Sequence, residues 1–139
     1  MKMNQITIKA IAGLCISLAS LTVLAQSMKL TLAGSQEVPP VTTSASGSGS
    51  IMVSPDGSVS GSVTTAGVDG TMAHIHEAPM GQNGPVIVPL AKTTDNVWSV
   101  PAGAKLTDAQ LQSLKSGNLY INVHSAANKG GEIRGQLKP

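Results

Sequence analysis

Three histidines carry the chemistry this sequence offers. His74 and His76 form a His-x-His pair inside Thr71–Leu90, TMAHIHEAPMGQNGPVIVPL. His124 sits in a second dense stretch, LYINVHSAANKGGEIRGQL, at residues 119–137. Residues two apart in a strand point to the same face, about 7 Å from each other. The pair therefore shares a face, and Ile75 points the other way, into a core. Imidazole suits zinc, copper, iron and nickel. If the two stretches lie side by side, His74, His76 and His124 converge as a candidate metal site for copper, zinc or iron. Glu132, Arg134, Glu77 and Asn122 are the polar neighbours that could complete the shell or orient a ring. Met72 shares the His74 face and Met80 follows in the next loop; thioethers favour Cu(I), though such methionines are more often core filler than ligands. The plainer reading is that the rings hydrogen-bond backbone and fix the Ala78–Pro85 connection. General acid/base work is a third use of the same groups.

Other chemistries find no support in the residues. No Gly-x-Ser-x-Gly elbow is present, and Cys15 is the single cysteine. Gly81-Gln82-Asn83-Gly84 lacks the lysine and the following helix of a phosphate loop. Trp98 and Tyr120 are the only aromatics, and no basic stripe accompanies them, so nucleic acid is not an expected partner.

Residues 1–25 read as a secretory signal. Lys2 and Lys9 make the charged start, Ala10–Val23 is largely apolar, and Val23-Leu24-Ala25 fits a cleavage site. The run is shorter than the about 20 residues of a membrane span, so no span is expected after its removal. Leu14 stands where a lipoprotein acceptor would have a small residue, which argues against Cys15 as a lipid anchor. The expected domain is residues 26–139, in a periplasmic or secreted location. It contains no cysteine and must stand on its core without disulfides. The chain's nine basic residues include Lys2 and Lys9, so the domain is balanced against its seven acidic ones.

Positioning the histidines falls to strands. Met28, Leu30 and Leu32 alternate with polar residues, and so do Ile51 with Val53 and Val59 with Val63. Ser54-Pro55-Asp56-Gly57 is a turn that joins strands at residues 46–53 and 58–65 into a hairpin. Residues 71–77 make the next strand, and 86–90 and 97–100 make two short ones. Thr107-Asp108-Ala109-Gln110 fits a capping box that opens a helix of about two turns, ended by Gly117. Residues 118–125 and 131–137 are the final strands. Pairing Val123 with Ile133 and Leu119 with Leu137 sets Asn122 opposite Arg134 and His124 opposite Glu132. A slip of one residue would set apolar against charged. The fold class is all-β: an antiparallel Greek-key sandwich or barrel, immunoglobulin-like or superoxide-dismutase-like, with one short helix. On this register the histidines face outward, toward water.

Three segments, LAGSQEVPPV, AHIHEAPMGQNGPVIVPL and LKSGNLYINVHSAANKGGEIRGQL, resemble the three marks of the chordin-type CHRD domain. The resemblance runs from about Lys29 to Leu137. One departure is Glu77, where the family more usually has Gly after the His-x-His. The resemblance implies an exported module with a β-barrel similar to immunoglobulin-like folds; it implies no particular reaction. Three functions follow as expectations. The first is a binding module for a metal ion, a small ligand or an extracytoplasmic protein. The second is a metal-dependent oxidoreductase of superoxide-dismutase type, by analogy with a His-x-His on a small barrel. The third is a structural envelope domain.

Overall fold

The computed structural model describes residues 24–139, so the expected signal segment lies almost wholly outside the described residues. Nine strands form one antiparallel sheet: β1 (Gln26–Ala33), β2 (Ser46–Val53), β3 (Val59–Ala66), β4 (Gly70–Glu77), β5 (Val86–Pro89), β6 (Ala91–Thr94), β7 (Val97–Ser99), β8 (Leu119–Ser125) and β9 (Ile133–Leu137). One helix, α1 (Asp108–Lys115), and a 3-10 turn at Gly34–Gln36 complete the fold. The strands run in the order β5-β4-β8-β9-β1-β2-β3-β7-β6. The outermost two, β5 and β6, are consecutive in the chain, with only Leu90 between them. Leu90 donates its N–H to the Ala73 carbonyl at 2.9 Å. The chain thus steps from one edge of the sheet to the other at this residue and nearly closes it into a barrel. Closure of this kind removes the exposed edges on which strands aggregate.

Alternation fills the interior. Met28, Leu30, Leu32, Ile51, Val63, Ile75, Ile121, Val123 and Ile133 are all buried there, with Trp98 as the one large ring. At about 25 cal/mol per Å² of apolar surface, such burial is the main stabilising term for a domain without disulfides. The 54–57 turn forms as expected, with Gly57 N–H on the Ser54 carbonyl at 2.9 Å. The capping box at Thr107 and Gln110 is also present, and it contributes about 1 kcal/mol.

Three expectations need correction. Strand β6 was not anticipated: AKTT is exposed along its whole length and carries no alternation to detect. The 86–90 run, expected from its apolar residues to be a buried strand, is only partly so: Val88 and Leu90 are buried, Ile87 packs partly against the core, and Val86 is exposed. Met72 and Met80 are not core filler; both are exposed. Among the described residues no helix is long and apolar enough to cross a membrane.

Candidate metal centre

Register decides which side chains meet. In the β4–β8 ladder Met72 pairs with His124, His74 with Asn122 and His76 with Tyr120. Ala73 and Ile75 pair with Val123 and Ile121 and point into the barrel. The alternate residues, His74, His76, Tyr120, Asn122 and His124, therefore share the outer face. In the β8–β9 ladder Asn122 pairs with Arg134, Tyr120 with Gln136, and Val123 with Ile133, as the apolar pattern requires. Seven polar or aromatic side chains from three adjacent strands thus form one patch.

The expected wet face is a covered one. His76 and His124 are each only 7% exposed, and Asn122, Arg134 and Gln136 are buried too. The loop at residues 78–85 lies across them and is fastened along its length. Gln136 Nε2 donates to the Ala78 carbonyl at 2.9 Å, Tyr120 Oη accepts from Gly84 N–H at 3.1 Å, and Asn83 Nδ2 donates to the Val38 carbonyl at 2.7 Å. His74 alone is half-buried, so the cluster reaches solvent on its side. Polar residues on the outer side of a strand mark a face that is not the apolar core; whether water or another loop covers that face is decided by segments remote in sequence.

One ring nitrogen from each of His74, His76 and His124 lies within 4.8 Å of the other two. Backbone carbonyls orient two of the rings. His76 Nδ1 donates to the Gly84 carbonyl at 2.9 Å, and His124 Nδ1 donates to the Lys129 carbonyl at 2.8 Å. Each of those rings, when neutral, is left with a bare Nε2. His124 Nε2 accepts from His74 Nδ1 at 3.0 Å. His76 Nε2 is buried without any partner. A buried acceptor with nothing to accept costs about 1–3 kcal/mol, so it calls for a donor or a cation. Asn122 Oδ1, on the same face, is buried without a partner as well.

Stacking fixes His76 further. Tyr120 lies parallel to it, ring centroids 4.8 Å apart, and the Arg134 guanidinium covers the Tyr120 ring at 3.4 Å. Gly84 holds both ends of this arrangement, its C=O on His76 and its N–H on Tyr120. A Cβ at Gly84 would collide with the Glu77 carbonyl, so only glycine lets the loop approach this closely.

Electrostatics favour the neutral form of His74 and His76. Burial pulls His74 below the usual histidine value, and the neighbouring His124 and His76 rings add to the effect. Burial also lowers His76; the Gly84 carbonyl and Asn122 offset part of it, while His124 and Arg134 work against the charge. Neutral imidazole is the form that ligates a metal.

The carboxylates are not brought to the rings. Glu77 is on the opposite face of β4 and accepts from the Ser113 hydroxyl of α1. Glu132 lies just outside β9; its side chain accepts from Thr43 Oγ1 at 2.8 Å and does not stand beside His124. Nor do Glu132 and Arg134 form a solvated pair, since Arg134 is buried against Tyr120. Met72 and Met80 are exposed, and Met72 pairs with His124 in the β4–β8 ladder.

Glu37 is the polar residue that sequence reasoning missed. It is 4% exposed, its Oε1 has no partner, and burial pushes its carboxyl up to about 7 despite the Arg134 charge and the Asn122 amide. A Cβ at Gly131 would run into both Glu37 Oε1 and Asn122 Nδ2, which shows how closely the two side chains meet there. Its signal was present in Gln36-Glu37-Val38-Pro39-Pro40, a charged residue beside prolines, but that pattern reads equally as an exposed turn. Lys129 also bears on the site, through the backbone carbonyl that sets the His124 ring.

No curated protein and no solved structure matches the chain. The CHRD domain family model does, over residues 28–137. That span runs from β1 to the end of β9 and takes in all three histidines and Glu37. The chain belongs to the CHRD-domain family.

Proposed function

We propose that this chain is an exported CHRD-domain binding module that holds one transition-metal ion on His74, His76 and His124. The unpartnered, buried His76 Nε2 carries the reading. Flipping the ring to satisfy that atom would lose the Gly84 carbonyl, and tilting it would lose the Tyr120 stack. Three imidazoles with no thiolate and no carboxylate suit zinc or copper, and iron less well. Three protein ligands leave a coordination position open, which a water, a ligand or a partner's side chain would fill. A metal also needs the lone pair of His74 Nδ1, so His74 would carry its proton on Nε2 instead. Export is supported by the amino-terminal segment at residues 1–25 and by the family's usual extracellular setting.

A second reading, an oxidoreductase of superoxide-dismutase type, rests on the half-buried His74 side, which gives a small substrate a way to the open position. It requires copper or iron there, because zinc has no redox chemistry. The test is metal titration of the purified domain, followed by superoxide assays of the loaded protein. One equivalent bound in wild type and none in His76→Ala is the expected result. No uptake by wild type would dismiss both readings, and uptake without dismutation would dismiss the second.

A further inference from the structure

We propose that the cleft between the 34–41 and 78–85 segments binds a small carboxylate, either a free organic acid or a peptide C-terminus, with Arg134 as its anchor. The cleft has a volume of about 380 Å³ and is lined by Glu37, Val38, Pro40, Met80 and Arg134 among others. It lies off the histidine cluster and does not depend on a metal.

Arg134 supplies the main argument. It is 1% exposed, and a buried guanidinium ordinarily faces a carboxylate in a bidentate pair. Here its hydrogen bonds go to neutral oxygens alone, Asn83 Oδ1, the Pro79 carbonyl and Gln136 Oε1, each at 3.4 Å. Those lengths are beyond the usual 2.7–3.2 Å range of N–H···O bonds. Tyr120 covers one face of the ion but offers no negative charge. Among the described residues no carboxylate hydrogen-bonds to it. Burial of a cation without a matched anion is costly, so the cleft is short of one negative charge.

Glu37 does not fill that role. Its carboxyl is pushed up to about 7, so near neutral pH it is only partly ionised, and no hydrogen bond joins it to Arg134; it offsets the guanidinium charge only in part. Glu37 lines the cleft, and in its protonated form it can donate to the second oxygen of a ligand carboxylate. A phosphate or sulfate dianion suits the cleft poorly, since one cation would face two negative charges and the second would be left buried without a partner. Val38, Pro40 and Met80 supply an apolar wall for a short alkyl or thioether tail.

The test uses the metal-free full domain and follows the Arg134 side-chain N–H signals by NMR. Butyrate is the probe, with butyramide and butylammonium as controls. A ligand of this size should bind at about millimolar Kd. Met80 is 62% exposed, so Met80→Asp and Met80→Lys leave the barrel intact while changing the charge at the rim. Met80→Asp should weaken butyrate about threefold and Met80→Lys should tighten it by a similar factor. A tripeptide with a free C-terminus, compared with its C-terminal amide, separates the two sources: tighter binding than butyrate assigns the cleft to a peptide end, equal or weaker binding to a free acid. Equal binding of butyrate and butyramide, binding of butylammonium as tight as that of butyrate, or no movement of the Arg134 signals at about ten times the expected Kd would overturn the proposal.

Discussion

His76 donates its Nδ1 proton to the carbonyl oxygen of Gly84 at 2.9 Å, and that one bond decides which nitrogen of the ring is bare. The same residue's N–H reaches Tyr120 Oη, whose ring stacks on His76. A loop residue eight positions away thus sets the tautomer and the plane of a strand histidine. This is the local device on which the candidate metal centre depends, and it can be broken one atom at a time.

Gly84→Ala should break it by sterics. The added methyl collides with the Glu77 backbone, so the loop must move and take its carbonyl away from His76. The expected cost is about 2 kcal/mol in stability, with a fall of about tenfold or more in metal affinity. Denaturant unfolding and a competitive metal titration measure the two separately. Unchanged affinity in a destabilised protein would mean that the loop does not orient the ring.

Tyr120→Phe is the gentler variant. It keeps the stack on His76 and removes the hydroxyl that accepts from Gly84 N–H. The N–H of half-buried Gly84, left without this partner, costs about 1 kcal/mol. Metal affinity should fall only a fewfold, well short of the Gly84 variant, because the carbonyl and the stacked ring both stay.

Stability should depend on pH through Glu37, with a sign opposite to that of most carboxylates. Its folded value, about 7, lies above the ordinary 4.5. Below 4.5 both the folded and the unfolded chain hold the proton, and the fold has its full advantage. Between 4.5 and about 7 the unfolded chain releases the proton first, so this group's contribution falls as pH rises, and above about 7 it is gone. Glu37→Gln should therefore raise the melting midpoint over wild type at pH 8 by more than at pH 5. His74 and His76, pulled below their usual value, act in the other direction under acid, so the difference between wild type and variant is the quantity to follow. A difference that is flat across this range would place Glu37 in a solvated, ordinary setting.

The strands that carry the histidines were legible because each buries one face. Leu119, Ile121 and Val123 alternate with Tyr120, Asn122 and His124, and no other register pairs Val123 with Ile133 while keeping Asn122 on Arg134. Convergence of His124 with the His-x-His was legible as a possibility only, since nothing local says that β8 lies beside β4. The cover over the patch was not legible. Ala78–Pro85 and Ser35–Val41 are loops on composition alone, and their burial role comes from backbone groups, such as the carbonyls of Gly84, Val38 and Ala78, which every sequence has. Glu37 escaped for the same reason: its environment is made by Asn122, Gly131 and Arg134, all about ninety residues away.

The most direct measurement is a titration of the purified domain with Zn(II) and Cu(II), read by ¹⁵N NMR of the three imidazoles. One equivalent should bind at about neutral pH, shift the Nε2 resonances of His76 and His124 together with one nitrogen of His74, and be released below about pH 6 as the rings take protons. Rings that titrate independently, with no change on adding either metal, would contradict the account.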